Sequence, residues 1–147
     1  MSAKKIFILL TLACQLFIGC NNIAAGSYPY AEVYNVDMPE SCLIQKINDF
    51  KKANPDYNVP GEVGLVDGRL KNNDYWYHIY FYYNDNDQII KAWTRPAANG
   101  KTSFAFVGIN QGSTLGNWKM INSDFSREED QEQKERFEQL ILKRILK

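Results

Sequence analysis

The chain contains a single histidine, His78, the side chain most suited to proton transfer near neutral pH. Beside a carboxylate it could act as a general base. However, no nucleophile elbow and no zinc-binding H-E-x-x-H pattern accompanies it. His78 lies within the aromatic run of residues 75–83, so we expect a half-buried strand histidine bonded to a neighbour. The sequence predicts no catalytic residue.

Residues 84–87 (Asn-Asp-Asn-Asp) carry oxygen ligands of the kind that calcium prefers. An EF-hand loop also needs glycine at its sixth position and glutamate at its twelfth. Counted from Asp85, these positions hold Ile90 and Pro96. The segment is therefore predicted to be a hairpin turn. Since no cysteine and histidine cluster has zinc spacing either, the sequence predicts no metal and no cofactor.

The aromatic run offers a candidate binding surface. Strand alternation places one set of side chains together on one face: Trp76, His78, Tyr80 and Tyr82. Trp93 and Trp118 could extend this face. Tyrosine and tryptophan suit contact surfaces because they combine a large rigid area with a polar tip. Alternatively, these side chains edge a small sheet or pack under the C-terminal helix.

The N-terminus has the form of a secretory signal. Lys4 and Lys5 precede residues 6–18, which are apolar except for Thr11 and Gln15. This run would rise about 20 Å as a helix, short of the ~30 Å hydrocarbon core of a bilayer. The segment is therefore predicted to be a signal peptide rather than a membrane span.

Phe17-Ile18-Gly19-Cys20 resembles the lipobox of bacterial lipoproteins of the Gram-negative type, although Phe17 stands where leucine is usual. The resemblance implies removal of residues 1–19 and acylation of Cys20, with palmitate among the chains. It also implies a lipid anchor in the cell envelope, and Asn21 favours the outer membrane. The alternative is cleavage after Ala25, which would give a soluble periplasmic or secreted protein.

Net charge and cysteine content limit the classes of binding partner and the disulfides that the chain can have. Loss of Lys4 and Lys5 leaves 15 basic against 17 acidic side chains, a net charge of about −2. The chain thus lacks the basic footprint of a nucleic-acid-binding protein. With Cys20 acylated, Cys42 has no partner for an internal disulfide. We expect Cys42 to be a small buried hydrophobe in a helix.

Periodicity predicts the elements that position these residues. A helix opens with a capping box from Asp37 to Glu40 and stops at Asn54-Pro55, and a second capping box at Ser126 opens a terminal helix. The first three turns of the terminal helix are charged and expected to be largely solvated. The predicted strands cover residues 31–36, 62–66, 75–83, 88–94, 102–109 and 118–121.

Together these elements predict a two-layer α+β fold with an N-terminal helix, an antiparallel meander of about four strands and a C-terminal helix. The order of elements resembles the cystatin-like arrangement, without any sequence motif of that family. We expect a signal peptide at 1–19, a tether at 20–30 and a single domain at 31–147.

The function favoured by the sequence is a non-catalytic, envelope-anchored binding lipoprotein that contacts a protein, peptide or glycan, for example as an inhibitor or immunity protein. Two alternatives remain open. One is an accessory subunit of an envelope complex that docks through the charged segment 127–136 of the C-terminal helix. The other is an enzyme that depends on His78.

Overall fold

A computed structural model describes residues 28–70 and 75–147 of the chain. The predicted signal peptide, Cys20 and the tether up to residue 27 lie outside the described residues. The predicted α+β fold is confirmed: a five-stranded antiparallel sheet is combined with an N-terminal and a C-terminal helix, and the first strand precedes the N-terminal helix in the chain. No helix in the described part of the chain is long and apolar enough to cross a membrane.

The strands are β1 (Glu32–Val36), β2 (Tyr77–Tyr83), β3 (Gln88–Pro96), β4 (Thr102–Gln111) and β5 (Trp118–Met120). The helices are α1 (Glu40–Ala53) and α2 (Arg127–Phe137). A π-helical turn (Glu138–Leu142) and a short α-helical turn (Lys143–Ile145) continue α2. Short 3-10 turns cover Pro55–Tyr57, Gly61–Val63 and Ala98–Gly100.

Strands β2 to β5 form the predicted meander, since each pairs antiparallel with the next. Strand β1 pairs with the first half of β4, and β5 pairs with the second half on the same side. The sheet order is therefore β1-β4-β3-β2, with β5 beside β4. A register shift between Lys91 and Ala92 inserts a bulge into the β3–β4 ladder.

Helix α1 packs on the sheet through Leu43, Ile47 and Phe50, which are all buried. The predicted capping box at Asp37 is wrong. The helix begins after Pro39, which caps it without a side-chain hydrogen bond. Proline suits this position because the first amides of a helix lack internal partners in any case.

The predicted burial of Cys42 is also wrong, because its side chain is exposed. Cys42 directly precedes the buried Leu43. Successive helical residues turn by about 100°, so Cys42 lies away from the stripe that faces the sheet. Its thiol therefore faces solvent rather than the core.

Helix α2 opens with the predicted capping box, in which Ser126 and Glu129 exchange hydrogen bonds. Its apolar end packs into the same core, where Phe137 stacks on Phe106 with ring centroids 4.6 Å apart. The first turns are largely solvated, as predicted, with Asp130 as the exception. Asp130 is only 8% exposed, and its carboxylate accepts a hydrogen bond from the amide of Asn122.

Residues 62–66 form no strand, so the strand predicted there is wrong. A 3-10 turn at Gly61–Val63 ends at Gly64, whose φ of 76° is left-handed. Proline before this turn and glycine after it override the modest β-propensity of the residues between them. Further on, Gly68 makes an isolated antiparallel bridge to His78, with both backbone hydrogen bonds at 2.9 Å.

Candidate binding surface

The sheet has two differently covered faces. The inner face packs against the helices, with Ile79, Phe81 and Phe104 in the main core. We call the opposite side the outer face. By strand register and contacts, it carries Val33, Asn35, Trp76, His78, Tyr80, Tyr82, Ile89, Lys91, Trp93, Arg95, Ser103, Ala105, Val107, Gly108, Asn110, Trp118 and Met120.

All six residues of the candidate surface lie on the outer face. His78 lies directly opposite Trp93 across β2 and β3. A second cross-strand row joins Tyr82, through Ile89 and Asn110, to Trp118 on β5. The register thus brings together aromatic residues that are up to 42 positions apart in the chain.

Burial divides the six residues into two groups. His78, Trp93 and Tyr80 are 1%, 3% and 7% exposed, respectively. The other three, Trp76, Tyr82 and Trp118, are half-buried. The candidate surface is therefore a packed aromatic layer, and only its periphery is open to a partner.

Tyr28 packs over the centre of this layer, although it belongs to the predicted tether. Its ring lies edge-on to Trp76 at a centroid distance of 5.7 Å and 6.1 Å from His78. It is tilted against Trp93 at 6.2 Å. A small satellite core forms here around Trp93, with Ala105 beside it. The tether therefore reaches the sheet at the outer face.

Two cations on β3 lie among these rings. Lys91 Nζ is 5.0 Å from the ring centre of Tyr28 and 5.9 Å from that of Trp118. The Arg95 guanidinium is 5.5 Å from the ring of Tyr75 and 5.4 Å from that of Trp93. All four separations lie within the range of cation–π attraction. Each cation thus lies beside two aromatic rings.

Sequence reasoning missed both cations, although alternation along β3 places Lys91 and Arg95 on the same face as Trp93. Burial lowers the pKa of the Lys91 ammonium group. Within the described residues, neither cation forms an ion pair with a carboxylate. The strand positions of the outer face carry no aspartate or glutamate, and Lys91 and Arg95 make its centre basic, whereas Asp87 and Glu62 lie near Tyr82 at its edge. At its corner, the Tyr82 hydroxyl donates to Asp87 at 2.8 Å.

Asn110 fixes the loop that precedes Trp118. Its side chain is fully buried, and its amide nitrogen donates to the carbonyls of Gly112 and Thr114 at 2.7 and 3.0 Å. Its oxygen accepts from the backbone amides of Gly116 and Asn117 at 3.2 and 2.9 Å.

Gly108 lets β5 approach β4 closely enough to place Trp118. A Cβ atom at Gly108 would lie 2.5 Å from the backbone oxygen of Lys119, closer than real contacts allow. The absence of a side chain at Gly108 thus permits the pairing of Gly108 with Met120 and of Asn110 with Trp118.

His78, the candidate general base, lies in the interior of the aromatic layer. At 1% exposure its imidazole has no access to a dissolved substrate in this conformation. Among residues 28–70 and 75–147, no group of three or more histidine, cysteine or acidic side chains is placed to hold a metal ion. The His78 ring is therefore packed inside the aromatic layer, with the ring of Tyr28 6.1 Å away.

Comparison with known proteins gives no family assignment. No protein-family model matches the chain, and no curated protein or solved structure is significantly similar to it. Its function must therefore be inferred from the outer face and the N-terminal sequence.

Proposed function

We propose that the mature chain is a non-catalytic binding lipoprotein of the cell envelope, anchored through an acylated Cys20. It contacts a protein partner through the outer face. The observation that supports this proposal most directly is the position of Lys91 and Arg95 among aromatic rings on one face. Neither cation has a carboxylate partner in the described structure. The lipobox resemblance of residues 17–20 supports the membrane address.

The composition of the outer face suits recognition. Aromatic rings and arginine are enriched at protein interfaces, where they supply most of the binding energy. A pre-packed aromatic layer also loses little side-chain entropy on binding, because its rings are already held by their neighbours. An inhibitor or immunity protein, which blocks an exported enzyme or toxin, is a specific form of this function.

The membrane address is tested by the intact mass and acyl labelling of the native protein beside a Cys20→Ala variant. We expect a chain that begins at Cys20 and carries lipid, and we expect the variant to lose the lipid. An unlipidated native chain beginning near Gly26 would contradict the anchor and make this a soluble secreted protein.

The binding function is tested by partner capture from envelope extracts with a Trp76→Ala, Trp118→Ala double variant. We expect the variant to keep its fold, as judged by circular dichroism, and to lose the partner. A matched control replaces Gln139 and Lys143, which are exposed on the helix layer, by alanine. Capture equal to that of the wild type by the double variant would refute the use of the outer face.

A second candidate function is docking of an accessory subunit through α2. The observation that favours it is a row of exposed glutamates, Glu128, Glu132 and Glu135, along one side of this helix. The predicted docking segment 127–136 is not uniformly free, because Arg136 is paired with Asp85 at 2.7 Å. Replacement of the three glutamates by lysine would abolish assembly under this alternative and leave outer-face binding intact.

A further inference from the structure

We infer that the partner of the outer face is an acidic polypeptide segment whose carboxylates pair with Lys91 and Arg95. This inference rests on the proposed function and specifies the chemistry of its partner. It starts from a contrast with the other cations of the chain. Within residues 28–70 and 75–147, the cations with carboxylate partners are Lys51, Arg69, Lys101, Lys134 and Arg136, five in number.

Lys91 and Arg95 differ from these five cations in pairing, although Lys51, Arg69 and Arg136 also lie over aromatic rings. Lys91 and Arg95 are both half-buried, and the contacts described for their charged groups are with aromatic rings. A partly desolvated charge without a counter-ion is costly, and a carboxylate supplied from outside removes part of that cost. The mature chain carries a net negative charge, so the positive charge of this face is opposite in sign to that of the chain as a whole.

The spacing of the two cations indicates the shape of the segment. They are four residues apart on β3, and a strand rises about 3.3 Å per residue, so they are about 13 Å apart. Two acidic residues at the same separation in an extended polypeptide match this distance. The partner is therefore an extended segment with carboxylates four residues apart.

A polypeptide fits this face better than a membrane surface does. The rings of Trp76 and Trp118 are half-buried against their neighbours, so they do not protrude as interfacial anchors do. Val33 and Tyr75, at 44% and 53% exposure, give the face an exposed apolar rim that side chains of a polypeptide can cover. Two separate cationic positions favour discrete carboxylates over diffuse surface charge.

The test measures binding of a fluorescent threonine- and serine-rich peptide with two glutamates four residues apart, by anisotropy at low ionic strength. The protein is the purified mature chain in detergent. We expect the glutamate peptide to bind at least about tenfold more tightly than the same peptide with glutamines. Lys91→Gln and Arg95→Gln should each weaken binding about five- to tenfold, and added salt should weaken it further.

Lys52→Gln and Lys143→Gln are the matched controls, because both lysines are exposed and lie on the helix layer. Neither should change the affinity. Equal binding of the glutamate and glutamine peptides would overturn the inference, as would the absence of binding to either. The proposed function would still stand if the Trp76→Ala, Trp118→Ala variant lost its captured partner.

Two further probes test the alternative classes of anionic partner. Vesicles of phosphatidylglycerol and phosphatidylcholine test a membrane surface, and polygalacturonate tests an acidic glycan. If either probe binds in a Lys91- and Arg95-dependent manner while the glutamate peptide does not, the polypeptide assignment is wrong. Preference for the peptide over both probes supports it.

Discussion

The free edge of β2 is protected by two side chains that take the place of a neighbouring strand. Lys51 Nζ donates to the carbonyl of Tyr80 at 2.6 Å, and the Asp67 carboxylate accepts from the amide of Tyr80 at 2.9 Å. The two side chains also form an ion pair at 2.5 Å. Since unpaired edge groups are a template for pairing with another chain, we expect this ion pair to limit aggregation as well as to stabilise the fold.

The two partners should not be equally costly to remove. Asp67→Ala leaves the Lys51 ammonium, only 12% exposed, without its counter-ion, and it leaves the Tyr80 amide without its acceptor. Removing one partner of a fully buried pair costs about 3–5 kcal/mol. Because Asp67 is 20% exposed and water can enter, we expect a loss of about 2–3 kcal/mol.

Lys51→Met should cost only about 1 kcal/mol, because it keeps the apolar stem and removes the buried charge. Burial lowers the pKa of the Lys51 ammonium group, which shows that desolvation opposes its charge. After this substitution, Asp67 can still accept from the Tyr80 amide. The double variant should therefore be little worse than Asp67→Ala alone.

Urea denaturation followed by tryptophan fluorescence measures these free energies of unfolding, and light scattering measures aggregation. Lys101→Met is the matched control, since Lys101 pairs with Asp37 at 3.6 Å and both side chains are largely exposed. We expect the control to change stability by less than about 0.5 kcal/mol. If Asp67→Ala and Lys51→Met lowered the free energy of unfolding equally, and if the double variant lost the sum of the two, the two side chains would not be energetically coupled and the reasoning would be wrong.

Three further outcomes are expected. Gly108→Ala should displace β5, because the added Cβ would lie 2.5 Å from the backbone oxygen of Lys119. The displacement should expose Trp118 and shift its fluorescence to the red. An unchanged emission spectrum would contradict this prediction. Tyr83→Phe should stabilise the fold by about 1 kcal/mol in urea, because the buried Tyr83 hydroxyl has no hydrogen-bond partner among the described residues, and a loss of stability would contradict this. Burial also raises the pKa of Tyr83, so the folded state keeps this proton above the ordinary tyrosine pKa of about 10 while the unfolded state releases it. Stability should thus fall as pH rises above that value, and less steeply in Tyr83→Phe. Cys42 should react with a thiol reagent in the folded mature protein at the rate of an exposed cysteine, whereas protection until unfolding would contradict its exposure.

The sequence predicts most of the fold because its local signals agree with the tertiary packing. Alternation and turn residues predict β2 and β3, and the serine and glutamate of the second capping box predict the start of α2. The failures occur where nearby residues override a pattern. Asp37 has the residue type of an N-cap, but Pro39 takes that position, and Gly64 ends the turn where a strand was predicted.

The candidate surface is predictable only within the strands. Register follows from the hydrophobic pattern and short turns, so alternation is enough to place Trp93 and Trp118 on the same face as His78. The position of Tyr28 is not local information, because it depends on where the chain before β1 crosses the sheet. The half-burial of Lys91 follows from that crossing, which no pattern along β3 contains.

The position of Tyr28 connects the anchor to the binding surface. If Cys20 carries the lipid, residues 20–27 can separate the membrane from Tyr28 by at most about 28 Å. The outer face is then tethered close to the membrane, and a partner reaches Lys91 and Arg95 through the space between them. A slender extended segment can enter that space more easily than a bulky globular domain. Lengthening the tether should therefore improve access for bulky partners and leave the affinity for a short acidic peptide unchanged.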